Sequence, residues 1–135
     1  MSDRSEIERI LKEAYAARKR GDIDAILRLF SVDAHFQLAG SISASPIPLR
    51  TAGTSQFRTV LERLIRTFEW VDQQIICMLI DGSRAAVHWR GRIRSTVSGE
   101  TVDTELVDIV EFKDGRIISF VEFCDTALAT RLMKA

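Results

Sequence analysis

The sequence predicts an α+β domain in which the helices come first and a set of antiparallel strands follows. Three observations carry this. Apolar residues recur at helical spacing over Ser5–Arg20 and again over Thr54–Phe68. From Glu69 onward the period drops towards two, as in a half-buried strand. The pairs Ser98-Gly99 and Asp114-Gly115 punctuate that second half; Gly supplies the positive φ that tight hairpin turns need.

The totals agree with one domain and one core. The chain has 135 residues, 46% apolar and 28% charged, so a single domain over residues 1–135 is expected. The 19 basic and 19 acidic residues cancel, and no field of one sign favours nucleic acid or an anionic membrane. The first ten residues, MSDRSEIERI, are polar and lack the apolar centre of a signal peptide. No apolar run is long enough to span a bilayer, so a cytoplasmic protein is expected. Cys77 and Cys124 lie in apolar, strand-like runs and read as two buried thiols rather than a disulfide.

Taken in order, Ser5 with Glu8 fits a capping box for the first helix, whose stripe is Ile7, Ile10, Leu11, Ala14 and Ala17 or Arg18. Gly21 ends it and Asp22 caps a short second helix with Ile23, Ile26, Leu29 and Phe30 on one side. Tyr15, the only tyrosine, lies beside the stripe and reads first as a packing residue. A short strand over Asp33–Gly40 points Ala34, Phe36 and Leu38 one way and His35 the other. His88 is the only other histidine, so no histidine-rich metal site is expected, and no cofactor. Residues 40–52, with both prolines, form an irregular stretch that is either a lid or simply mobile, the second being preferred. The third helix carries a wide stripe of Phe57, Val60, Leu61, Leu64, Ile65 and Phe68 that suits packing on a sheet.

The strands hold the informative residue. Asp108 lies in the apolar register of its strand, with Leu106, Val110 and Phe112. A carboxylate there is costly unless it is paired, hydrogen-bonded or protonated. In the preceding strand Val87, Trp89, Gly91 and Ile93 share one face; His88, Arg90, Arg92 and Arg94 share the other. A two-residue turn at Ser98-Gly99 sets Arg94 opposite Asp103, Arg92 opposite Glu105 and Trp89 opposite Asp108. A two-residue turn at Asp114-Gly115 points Val121 and Phe123 inward. A three-residue turn with Gly115 as a bulge residue points Phe120, Glu122 and Cys124 inward and brings Glu122 near Asp108. The second is preferred.

Two stretches, ARKRGDIDAILRLFSVDAHF (residues 17–36) and LVDIVEFKDGRIISFVEF (residues 106–123), together with the order of elements, resemble the nuclear transport factor 2-like superfamily in its SnoaL-like and ketosteroid-isomerase-like branch. The resemblance implies a curved mixed or antiparallel sheet wrapped around three N-terminal helices as a cone with an apolar pocket, and a homodimer through the outer sheet face, here His88, Arg90, Val107 and Ile109. It sets Asp108 where ketosteroid isomerases keep a protonated acid in their oxyanion hole. The general base of those enzymes would fall at Leu38, their oxyanion tyrosine at Ala14, one residue short of Tyr15, and their supporting tyrosines at Phe30 and Leu61. Ketosteroid isomerisation is therefore not expected, and a reused fold does not carry one activity.

Three functions are compatible with these residues. One is a pocket for a small hydrophobic, ring- or carbonyl-bearing molecule, walled by Phe36, Leu38, Phe57, Leu61, Trp89, Val110 and Phe120. A second is an acid–base enzyme of isomerase, cyclase, dehydratase or epoxide-hydrolase type, with Asp108 as acid or hydrogen-bond donor and Glu122 or Tyr15 as second group. The third is a non-catalytic association module. Against the first two stands the plain alternative that the aromatics fill a core and Asp108 only bonds Trp89 or a backbone amide. GxGxxG, GxxxxGK[ST] and GxSxG motifs are absent.

Overall fold

A computed structural model describes residues 3–135. Helix α1 spans Arg4–Arg20, α2 Ile23–Arg28, α3 Thr54–Thr67 and α4 Thr126–Leu132. The strands are β1 Phe30–Leu38, β2 Leu49–Ala52, β3 Phe68–Asp81, β4 Arg84–Ser95, β5 Thr101–Lys113 and β6 Arg116–Phe123. The cap of α1 is Asp3 rather than Ser5: its carboxylate accepts from the Glu6 amide at 2.8 Å, so the cap lies two residues before the expected capping box. Gly21 closes α1 with φ 74°, returning its amide to Ala17 and Arg18, and Asp22 caps α2 as expected. Leu29 and Phe30 leave that helix, and Phe30 opens β1.

The stretch 40–52 is not wholly irregular. Its last four residues form β2, which pairs antiparallel with β1, from His35 opposite Ala52 to Leu38 opposite Leu49. The strand is too short and too flanked by Pro to show a period. The sheet has six strands in the order β2-β1-β6-β5-β4-β3 and does not close. The β1–β6 pair is parallel and the rest are antiparallel. Two bulges in β3, at Val71 and Ile76, bend the sheet. It wraps the helices as an α+β cone, and the core lies between them.

Both expected turns differ in detail. The β4–β5 connection is longer than two residues, because Ser95 Oγ accepts from the Val97 and Ser98 amides and organises a wider loop. The register is displaced by two: Arg92 faces Asp103, Arg90 faces Glu105, Val87 faces Asp108, and Trp89 faces Leu106. A slip of two preserves faces, so Trp89 and Asp108 remain neighbours on the diagonal. The Asp114-Gly115 turn has two residues, both with positive φ (52° and 76°), and Lys113 pairs Arg116. The expected three-residue turn is absent, yet Phe120 and Glu122 still point inward. A bulge at Ile118, between the Glu111–Ser119 and Phe112–Ile117 pairs, reverses the alternation instead.

The buried core includes Ile7, Leu11, Phe30, Phe57, Trp89, Val110 and Ile117. Both cysteines are free, but Cys77 is exposed rather than buried and Cys124 partly so. The β3 bulges turn Cys77 to the outer face. No helix among the described residues is long and apolar enough to cross a membrane.

Candidate functional site

Asp108 is fully buried on β5, directly opposite Glu122 on β6. Its Oδ2 accepts two hydrogen bonds, from the Tyr15 hydroxyl and from Trp89 Nε1, each 2.7 Å. Its Oδ1 receives no N–H or O–H among the described residues. Asp108 and Glu122 stand opposite each other across the β5–β6 ladder, and two carboxyls so placed can bond one another only with a proton between them. Burial, then the charge of Glu122, holds the Asp108 carboxyl well above the usual carboxylate range, against the opposing pull of the Tyr15 and Trp89 bonds. Burial also raises Glu122, opposed by the Asp108 bond and the Arg18 charge. Oδ2 already accepts two hydrogen bonds, which leaves Oδ1, facing the Glu122 side, as the oxygen free to carry a proton. Burial and the nearby Asp108 push the Tyr15 hydroxyl up as well, and it remains a neutral donor.

Around this pair lies a nest of aromatic rings. Trp70 and Trp89 stand 4.6 Å apart between centroids, and Tyr15 lies 5.9 Å from Trp89 and 6.2 Å from Trp70. Arg18, one helical turn beyond Ala14 on α1, places its guanidinium 4.7 Å over Trp70. Its Nη2 donates to the Leu64 and Phe68 carbonyls at 3.2 and 2.8 Å, at the negative end of α3. Burial lowers the Arg18 pKa to about 10, a value at which it is still a cation at neutral pH.

These groups border a cavity of about 390 Å³. Of the expected wall, Phe36, Leu38, Phe57, Leu61, Trp89 and Phe120 line it; Val110 does not, being packed in the core. Tyr15 and Glu122 reach the wall, whereas Asp108 sits behind them. Ala14 and Phe30 also line it, so at all four positions where the resemblance would set isomerase polar groups, Ala14, Phe30, Leu38 and Leu61, the cavity meets hydrocarbon. Sequence reasoning missed several contributors, among them Arg18, Trp70, Ile47 and Leu49 from the 40–52 stretch, and the C-terminal helix α4, which adds Leu128, Ala129 and Leu132. Arg18 had a visible signal, since it follows Leu11 by seven and Ala14 by four and falls in phase with the apolar stripe. The α4 cap was also visible in Asp125, whose carboxylate accepts from the Leu128 amide at 3.0 Å.

Chemically, the arrangement offers one acid pair, one neutral phenol and one cation around an apolar space. Glu122 is the carboxyl on the wall; Asp108 fixes its protonation from behind. A carboxyl raised from its ordinary value is better matched to proton transfer near neutral pH than a solvated one.

Comparison with known proteins places the fold. The SnoaL-like domain family model matches residues 11–120. A putative isomerase from Bacillus subtilis superposes with a TM-score of 0.87 at 13% identity, over 98% of this chain and 95% of that one. An NTF2-like protein of unknown function from Burkholderia pseudomallei gives 0.82 at 20% identity, over 100% of both chains. A LEH-like epoxide hydrolase from M. tuberculosis gives 0.75 at 17% identity, over 96% and 90%. At these identities the likeness is one of fold. No curated protein sequence matches the chain.

Proposed function

The chain belongs to the SnoaL-like domain family, within the nuclear transport factor 2-like superfamily, and from that premise we propose that it binds a small hydrophobic, ring- or carbonyl-bearing molecule inside one domain spanning residues 1–135. The observation that carries this reading is the apolar cavity of about 390 Å³ with the Glu122–Asp108 acid pair at its polar end. Small-molecule sites are commonly apolar hollows with a few placed polar groups. The test is calorimetric titration of a panel of cyclic ketones and epoxides into the wild type and Trp89→Ala, with circular dichroism as the fold control. Binding by the wild type and its loss in a folded Trp89→Ala support the reading. Failure of every compound to bind contradicts it.

The shared proton favours a second reading, an acid–base enzyme. Glu122 would exchange a proton with the bound molecule, while Asp108 and Tyr15 position it and set its protonation. Turnover of the compounds that bind, or solvent-deuterium incorporation into them, abolished by Glu122→Gln, is the corresponding measurement. The exposed apolar residues of the sheet support homodimerisation: Ile109 on β5 (39% exposed), Phe123 on β6 (51%) and Leu79 on β3 (65%) lie on strands to either side of β4, which carries His88 and Arg90. Light scattering tests it, with a monomer as the contrary result. Two free thiols, one exposed, fit a reducing compartment such as the cytoplasm.

A further inference from the structure

Arg18 is a partly buried cation whose hydrogen bonds to the described residues come from one nitrogen only. Nη2 donates to two carbonyls; among the described residues, Nε and Nη1 donate to none. A guanidinium has five N–H donors, and the side chain lines the cavity. Glu122 lines the same cavity, yet no ion pair within 4 Å joins the two. The rest of the wall is mostly ring and hydrocarbon, Trp70, Trp89 and Leu38 among it, with the neutral hydroxyls of Tyr15, Thr67 and Thr104 and the Cys124 thiol as its other polar groups besides the rim charges.

Two costs then select the occupant. A pure hydrocarbon that fills the space leaves the remaining Arg18 donors without an acceptor, and an unpaired charged donor out of water is heavily penalised. An anion carries the opposite penalty. Arg18 contributes one positive charge and the Asp108–Glu122 pair, holding one proton, contributes one negative charge. The interior is therefore balanced, and a further charge would be uncompensated in an apolar space. The other charged side chains on the lining, Arg63 and Asp125, are exposed at its rim.

We infer that Arg18 is the polar anchor of the bound molecule, and that this molecule is uncharged and turns a single accepting oxygen, such as a ketone or ester carbonyl, towards the guanidinium. This rests on the cavity being a binding site and adds which molecules it selects and by which residue. Discrimination comes as much from what is refused as from the bond made.

The test uses the full chain and three probes of one shape: 1-tetralone, tetralin, and 5,6,7,8-tetrahydro-1-naphthoate, titrated by calorimetry. The ketone is expected to bind at least roughly ten-fold tighter than either of the other two, the size of one hydrogen bond to a charged group. In Arg18→Met the ketone and hydrocarbon should converge to within about two-fold. Equal binding of ketone and hydrocarbon by the wild type, tighter binding of the carboxylate, or an unchanged ratio in Arg18→Met overturns the inference while leaving the pocket reading standing. Binding of none of the three removes both. Arg18 also holds the end of α3, so a second measurement avoids the variant: a nuclear Overhauser contact between the Arg18 Nε proton and bound tetralone in the wild type. Contacts to Leu38 methyls without one to Arg18 overturn the assignment.

Discussion

Asp108 and Glu122 face each other as a direct cross-strand pair on β5 and β6, and burial raises the pKa of both carboxyls. Two like charges directly opposite would destabilise the sheet. One proton between them removes the repulsion, and the Tyr15 and Trp89 donors on Oδ2 determine which oxygen remains to carry it. The pair is thus held by three elements: α1 through Tyr15, β4 through Trp89, and β6 through Glu122.

If Asp108 is a neutral acid, an amide replaces it well. In Asp108→Asn the amide oxygen accepts from Tyr15 and Trp89, and the amide nitrogen donates to Glu122. The expected loss of stability is under about 1 kcal/mol. Asp108→Ala leaves two buried donors unpaired and should cost about 3 kcal/mol. Urea unfolding of both variants checks the difference; equal losses contradict a neutral Asp108.

The sign of the pH dependence follows from the same pair. Unfolded carboxyls release their protons near pH 4. The folded Asp108 and Glu122 hold theirs to higher pH, so the folded state binds more protons in that window. Their contribution to stability is present at low pH and is lost as pH rises from about 4 through the folded values. Exposed carboxylates such as Asp24 and Asp103, held down by Arg58 and Arg92, slope the other way. The comparison is therefore between proteins: from pH 4.5 to 8 the urea midpoint of the wild type should fall relative to that of Asp108→Asn. A midpoint gap independent of pH is the contrary result.

Tyr15→Phe keeps the ring and removes one donor to Oδ2. It should cost about 1–2 kcal/mol and raise the Asp108 pKa further, because the Tyr15 bond lowers it. A carboxyl titration followed by NMR reads the direction; a fall would mean that Tyr15 does not bond the ionised form.

Gly91 lies two residues after Trp89 on β4, and a Cβ there would meet Trp89 Cζ3 at 2.7 Å and Ile93 Cδ1 at 3.0 Å. Trp89 is fully buried and cannot swing away freely. Gly91→Ala should displace the indole, loosen its bond to Asp108 and destabilise the fold by about 1–3 kcal/mol. Unchanged near-ultraviolet circular dichroism and stability would count against this packing.

Much of this arrangement was legible before the structure. A carboxylate in an apolar strand register marks itself, and face alternation survives a register slip of two, so Trp89 remained beside Asp108 despite the wrong partner. The inward turn of Glu122 was anticipated for the wrong local reason, since a bulge at Ile118 inside the strand has no turn residue to announce it. β2 was hidden because four residues are too few to show a period. Arg18 was placed in the apolar stripe as an alternative to Ala17 but given no role, although in-phase charge is the signal that singled out Asp108. That Asp108 stands behind the wall and Glu122 upon it is a tertiary fact, set by how β5 and β6 meet the helices.

The most direct measurement is the side-chain pKa of Asp108, from a carboxyl-carbon NMR titration of the wild type assigned against Asp108→Asn. The expected result is a midpoint well above the ordinary aspartate value of about 3.9, with Glu122 responding to the same proton. A midpoint at or below that value would mean an ionised Asp108, and the shared-proton pair at the end of the cavity would not exist.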